Sequence, residues 1–291
     1  MRIDSHQHFW RYRPEDYPWI DERKGLLKRD FLPGDLAPLL SAQHFDGCVA
    51  VQAAQTPDET RFLLDLSDRH PFVRAVVGWV DLRSPEVERQ LAELARHPRL
   101  KGIRHVAQDE PDDRFLVRED VVRGIAALEP FGLAYDILIF ARQLPAAIEL
   151  ARRLPRQRFV LDHIAKPEIA AGRVSPWREQ VRELAAAPNV CCKLSGMVTE
   201  AAWTGWTAAS FRPYLDVVFE AFGPDRLMIG SDWPVCLLAG DYPTVMGLVE
   251  DFMAGGPAAE REKVLGGNAT RFYRIPVGGQ RAASEAGFTP A

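Results

Sequence analysis

The stretch Arg2-Ile3-Asp4-Ser5-His6-Gln7-His8-Phe9-Trp10 decides how the rest of the chain is read. It opens apolar and ends on two histidines spaced by one residue. Side chains of a strand alternate between faces, so His6 and His8 share one. Two imidazoles side by side at a strand end can hold a metal or grip an oxyanion together. Alone, such a pair has a plainer and less favoured reading as one buried histidine and one loop histidine.

Working outward, strand signals recur, each followed by a helical pattern. After Ile3 to Phe9 come Gly47 to Gln52, Ala75 to Val80, Leu100 to Val106, Leu133 to Phe140, Arg158 to His163, Val190 to Ser195 and Arg226 to Pro234. Between them lie helix signals: Leu36 to Gln43; Thr56-Pro57-Asp58-Glu59, with Thr as cap, Pro in the first turn and Glu three residues on; Ser84-Pro85; Ser175-Pro176; and Tyr242 to Met253. Eight strands alternating with helices predict a (β/α)8 barrel. A doubly wound sheet for nucleotides would want a glycine-rich turn after the first strand, and His-Gln-His stands there instead. One domain spanning residues 1–275 is expected, followed by a loose tail (276–291) rich in Gly, Ala and Ser.

Bulk composition narrows the function. The chain has 291 residues, is 47% apolar and carries a formal charge of -4 with both signs interspersed. No basic face for nucleic acid is visible, and no apolar run approaches the roughly 18 residues a membrane helix needs. The amino terminus lacks the basic and apolar regions of a signal peptide. Cys48, Cys191, Cys192 and Cys236 form no CxxC pattern, so a reducing, cytoplasmic setting is expected. Oligomeric state leaves no mark.

In such a barrel, reacting groups sit at the carboxyl ends of the strands. Those ends carry His6 and His8, Gln52, Trp79, Arg104 or His105, Asp136, His163, Lys193 and Asp232. Any one has a plain structural use, but polar ends repeating in register with the strands point to a site. Whether Arg104 or His105 faces inward depends on register, since a one-residue slip swaps faces. No GxSxG elbow and no HExxH occurs.

At this point the residues resemble a known family. His6-Gln7-His8 with Asp232, Lys101-Gly102-Ile103-Arg104-His105, Leu161-Asp162-His163-Ile164-Ala165-Lys166-Pro167, Cys192-Lys193-Leu194-Ser195-Gly196 and Gly230-Ser231-Asp232-Trp233-Pro234-Val235-Cys236 are similar to the sugar-lactonase branch of the "amidohydrolase 2" enzymes. That branch includes L-fuconolactonases and L-rhamnonolactonases and is related to the pyrone-dicarboxylate lactonases. The similarity runs from about residue 1 to about residue 275. It implies hydrolysis of a sugar-acid lactone, which needs a base for water, donors for the oxyanion and a proton for the leaving alkoxide. Asp232 fits the base. His6, His8, His163 and Arg104 would polarise the carbonyl. His105, Lys166, Lys193, Gln52 and the aromatics Trp10, Tyr17, Trp19, Trp79 and Trp233 are candidates for binding substrate.

Metal-dependent relatives add a histidine at strand five or a modified lysine at strand four, and neither is present here. His6, His8 and Asp232 could still supply three ligands to a weakly held divalent cation such as zinc. No cofactor is expected to be required, because a guanidinium beside the carbonyl can replace the charge of a dication. Two other readings remain open: a metal-dependent decarboxylase or hydratase of the same superfamily, and a barrel that binds a sugar acid without catalysis.

Overall fold

A computed structural model describes residues 1–277. The expectation for the tail therefore falls, beyond Val277, outside the described residues. Eight parallel strands pair in sequence order. They are β1 (Ile3–Gln7), β2 (Gly47–Val51), β3 (Val73–Gly78), β4 (Leu100–His105), β5 (Ala134–Ile137), β6 (Phe159–Leu161), β7 (Val190–Leu194) and β8 (Leu227–Ile229). Main helices follow each: α1 (Pro33–Ala42), α2 (Pro57–Arg69), α3 (Val87–Leu94), α4 (Glu119–Ala126), α5 (Leu144–Arg153), α6 (Trp177–Ala185), α7 (Ala208–Phe222) and α8 (Tyr242–Phe252). The ring closes through backbone bonds beyond β8, Asp232 N to His6 O at 2.8 Å and His8 N to Trp233 O at 2.7 Å. This is a (β/α)8 barrel. Among the described residues no helix is long and apolar enough to cross a membrane.

Every residue of β2 is buried, as expected of a parallel strand covered on both faces. Residues alternate between two layers. Ile3, Val49, Val51, Ala75, Val77, Ala134, Val160 and Met228 fill the inside. Ala50, Val76, Ile103, Tyr135, Ile137, Leu161, Cys192 and Leu194 face the helices. The helices return apolar stripes, such as Val87, Leu91 and Leu94 of α3.

Several expected strands are shorter than their apolar runs. β5 stops at Ile137 and β8 at Ile229, so Leu138 to Phe140 and Gly230 to Pro234 become loop at the carboxyl-end mouth. β1 carries a register irregularity between Asp4 and Gln7. Ile3 points inward while Asp4 turns outward to meet the Tyr242 hydroxyl of α8 at 3.2 Å. Strict alternation would then send His6 and His8 outward as well; the bulge inverts the phase and delivers both to the mouth.

Two motif glycines are demanded by close approach. A Cβ at Gly230 would lie 2.8 Å from the His6 Cβ, so glycine lets β1 and β8 touch. A Cβ at Gly196 (φ +61°) would sit 2.3 Å from the His163 Nδ1.

Thr56 caps α2, its hydroxyl accepting from Glu59 N at 3.1 Å. Glu59, expected as the reciprocal capping partner, turns inward instead. It accepts from the backbone of Ala53 (3.1 Å) and Ala54, and from the Tyr17 hydroxyl at 3.4 Å. Burial pushes its carboxyl up to about 8, against those hydrogen bonds and the Arg104 charge.

Candidate active site

The carboxyl ends of the strands open into a cavity of about 630 Å³. Its floor holds His8, Arg104, His163 and Asp232, and its walls include Trp19, Lys166, Phe140, Glu200 and Trp203. His6 lies just beneath, fully buried.

Asp232 is the centre. It follows β8 in a left-handed backbone conformation (φ +57°), which aims its carboxylate across the mouth. Its Oδ1 lies 3.2 Å from His8 Nε2, 3.8 Å from His6 Nε2 and 3.9 Å from His163 Nε2. Burial alone would raise the carboxyl. The His163 and His8 rings and the Lys166 ammonium outweigh it and hold Asp232 below the ordinary carboxylate value. Beneath it Asp4 accepts from Ser231 N (3.0 Å) and Ser231 Oγ (2.6 Å), which pins the loop.

His163 begins an unusual turn. His163, Ile164, Ala165 and Lys166 all have φ between +47° and +62°. For residues with a Cβ this costs on the order of 1–2 kcal/mol each, and such strain gathers where a site needs a fixed geometry. The turn is anchored by Trp177 Nε1 donating to Ile164 O at 2.7 Å. His163 Nδ1 meets Ser195 Oγ at 3.0 Å.

Below the mouth lies a ring of buried charge. Arg104 Nη1 is 3.1 Å from Asp162 Oδ2 and 3.3 Å from His6 Nε2. Lys193 Nζ is 2.5 Å from Asp136 Oδ2, 3.0 Å from Asp162 Oδ1 and 3.0 Å from His6 Nδ1. Two cations thus face two carboxylates. For Asp162, Lys193, His6 and Arg104 overcome the upward push of burial and keep it well below its ordinary range. Burial, reinforced by Lys193 and opposed by Asp162, pushes His6 far down, so its ring is neutral at pH 7.

The proton positions follow from the partners. His8 Nδ1 faces Val51 O at 2.8 Å and must donate to it. Its Nε2 and Asp232 Oδ1 then form an acceptor pair unless a proton or a cation lies between them. On donor chemistry the site fits a divalent metal, because ligand atoms of His6, His8 and Asp232 all lie within 4.8 Å of one another. A cation on His6 Nε2 would require the ring proton on Nδ1, where Asp162 Oδ1 stands 3.3 Å away to accept it. Arg104 opposes such a cation by its charge.

The register places Arg104 opposite Asp136 on the inner face and turns His105 outward. His105 pairs with Glu110 at 2.7 Å, stacks on Phe115 and takes Trp79 Nε1 at 3.3 Å. Neither His105 nor Trp79 reaches the cavity. Gln52 is buried and accepts from Arg104 Nη2 at 3.0 Å, holding the guanidinium. Lys193 is wholly buried under His6 and does not line the cavity. Trp10 and Trp233 pack around Phe31, and Tyr17 beside Trp10, behind the mouth. Trp19 does line the cavity, its Nε1 donating to Ala53 O at 3.0 Å, and Lys166 sits 3.8 Å from Glu200. Sequence reasoning missed Glu200, Trp203, Phe140 and Asp162. Asp162 stood inside the quoted Leu161-Asp162-His163 motif and Phe140 closed the expected fifth strand; Glu200 and Trp203, in the loop after β7, carried no local signal.

Comparisons with known proteins agree on kinship. The amidohydrolase family pattern ("amidohydrolase 2") matches residues 3–275. An L-fucono-1,5-lactonase of Burkholderia multivorans is 48% identical over 287 residues, 95% of this chain and 97% of that one. An L-fucono-1,5-lactonase of Burkholderia ambifaria is 45% identical over 291 residues, 97% of this chain and 99% of that one. A crystal structure of an amidohydrolase from Burkholderia multivorans with bound zinc is 48% identical, with a TM-score of 0.91 over 95% of this chain and 100% of that one. The chain therefore belongs to the amidohydrolase family.

Proposed function

We propose that this protein hydrolyses the lactone of a sugar acid, with L-fucono-1,5-lactone the first substrate to test. The convergence of three imidazoles on one ionised aspartate at the barrel mouth, with Arg104 lining the same cavity, carries this reading. The names of its relatives support the substrate class.

Asp232 takes a proton from water, and the oxygen adds to the lactone carbonyl. Arg104 and the Nε2–H of His163 face the oxygen on which charge develops, in a site from which bulk water is largely excluded. The tetrahedral centre collapses by breaking the bond to the ring oxygen. Asp232, or His8 beside it, returns the proton to that oxygen, so the products are a hydroxyl and a carboxylic acid that ionises into solvent. A dication held by His6, His8 and Asp232 would, when bound, polarise the carbonyl and acidify the water. We propose that it is dispensable, because Arg104 already supplies positive charge there. Trp19, Trp203 and Phe140 offer apolar faces to the sugar, and Lys166 and Glu200 offer a donor and an acceptor to its hydroxyls. The reduced thiols suit a cytoplasmic enzyme.

A pH-indicator assay over a panel of aldonolactones, with and without chelator, tests the proposal. Release of acid well above the spontaneous rate, from fucono- or a stereochemically related lactone and in the presence of chelator, is expected. Acid release that disappears with chelator and returns with zinc would favour a metal-dependent mechanism; no release from any lactone would end the reading.

A further inference from the structure

We infer that Tyr273, near the far end of the described chain, is a positioning residue for the reaction centre, acting through Asp136 and Lys193 on His6. The inference rests on the role proposed for the mouth, of which His6 is the base layer.

The segment Asn268–Phe272 and the turn after it close the amino end of the barrel. Ala269, Phe272, Tyr273 and Ile275 pack with Ile3, Val49, Val51, Ala134, Val160 and Met228 inside the ring. Tyr273 is fully buried and its hydroxyl climbs the barrel axis to donate to Asp136 Oδ2 at 2.7 Å. The same oxygen takes Lys193 Nζ at 2.5 Å, and Nζ reaches His6 Nδ1 at 3.0 Å. Three polar contacts therefore link the barrel floor to an imidazole 3.8 Å from Asp232.

Packing alone does not explain the hydroxyl. Phenylalanine would fill the same apolar space without the cost of burying an O–H group. Asp136 Oδ1 has no hydrogen-bond partner among the described residues, so Oδ2 alone carries both contacts. Without Tyr273 the carboxylate has one anchor, the long flexible stem of Lys193. Lys193 Nζ donates to Asp136 Oδ2 and lies 3.0 Å from both Asp162 Oδ1 and His6 Nδ1, the latter an acceptor in the ring tautomer that carries its proton on Nε2. Loosening the first lets Nζ drift toward Asp162, and the His6 ring loses the contact that fixes its tilt beneath Asp232. Small losses of alignment at a reacting centre cost rate without costing affinity.

The test compares Tyr273→Phe, Asp136→Asn, the double variant and a packing control, Phe272→Leu, on the full chain. For Tyr273→Phe, kcat is expected to fall about tenfold with KM within about twofold, and the 15N ring signals of His6 are expected to move while those of exposed His44 stay. Asp136→Asn should fall further, and adding Tyr273→Phe to it should change nothing more, as coupling through one path requires. Phe272→Leu should lower the melting midpoint and leave kcat alone. Wild-type kcat in Tyr273→Phe, additive losses in the double variant, or unmoved His6 signals would overturn the inference. Should the wild-type protein hydrolyse no lactone, the functional reading fails, while the His6 spectra still decide the relay.

Discussion

The two ends of this barrel are built on opposite principles. At the amino end, Phe272, Tyr273 and Ile275 plug the ring with apolar packing, and the Tyr273 hydroxyl leads upward to Asp136. At the carboxyl end, His6, His8, Arg104, Asp162, His163 and Asp232 crowd into one buried polar cluster. Four successive left-handed residues and a left-handed aspartate hold it in place. The mouth gives up stability for a fixed arrangement of charge, and the strands and floor below supply the rigidity that makes this tolerable. Each of the following changes is a way to break or sharpen that contrast.

After Asp232 itself, the largest effect on activity is expected at Arg104. Arg104→Met should cost at least a hundredfold in kcat/KM, in line with loss of a principal oxyanion donor, measured by initial rates on the preferred lactone. It should also tighten zinc binding at His6, His8 and Asp232, which competition with a chromophoric chelator will report.

Next comes Gly196→Ala. The added Cβ would strike the His163 ring and would have to adopt a positive φ. A loss of about 2–3 kcal/mol of stability is expected, and kcat should fall with it. Gly172→Ala serves as the reference, because it also has a positive φ yet meets no atom within 4 Å. If both cost the same, close approach to His163 is not the reason for glycine.

A smaller effect concerns Glu59, which braces the Ala53–Ala54 wall of the cavity. Its folded-state value, about 8, lies above the unfolded value, so the native chain binds the extra proton. Its contribution to stability is complete below the ordinary glutamate range and is lost as pH rises through about 8. Denaturant titrations of wild type against Glu59→Gln should therefore diverge between about pH 5 and 8. The limiting slope is about 1.4 kcal/mol per pH unit, with the wild type losing ground as pH rises. Parallel curves would mean that Glu59 remains ionised in the fold. The smallest effect is expected from chelation, a change of less than about threefold in kcat.

The same contrast explains what could be read from the sequence. Strands of a closed parallel ring are buried on both faces, so most stand out as apolar runs, while β1, with one aliphatic residue, is marked instead by its histidine pair. Their ends overshoot at β5 and β8, because apolar residues such as Leu138 and Phe140 continue into the cavity wall. The aspartate and the histidines were legible because they stand at strand ends inside fixed motifs. The aromatic residues were not: Trp10, Trp79 and Trp233 follow strands and stay out of the cavity, whereas Trp19, in the long loop after β1, lines it, so only tertiary packing decides which ring sees the cavity. Lys193 occupies an inner strand position, yet it points at a level below the mouth, where Asp136 and Asp162 neutralise it. Glu59 fits a capping pattern and is diverted by the two backbone amides of its neighbouring loop. Spacing along the chain cannot encode depth within a barrel, and these assignments all depend on depth.

The most direct test of the account is kcat/KM for L-fucono-1,5-lactone in wild type and Asp232→Asn, followed by NMR so that enzymatic and spontaneous opening are separated, with calorimetric binding of the hydroxy-acid product as a check on the cavity. The account predicts a fall of at least about a thousandfold in kcat/KM with product binding retained. Hydrolysis by Asp232→Asn within tenfold of wild type would contradict it.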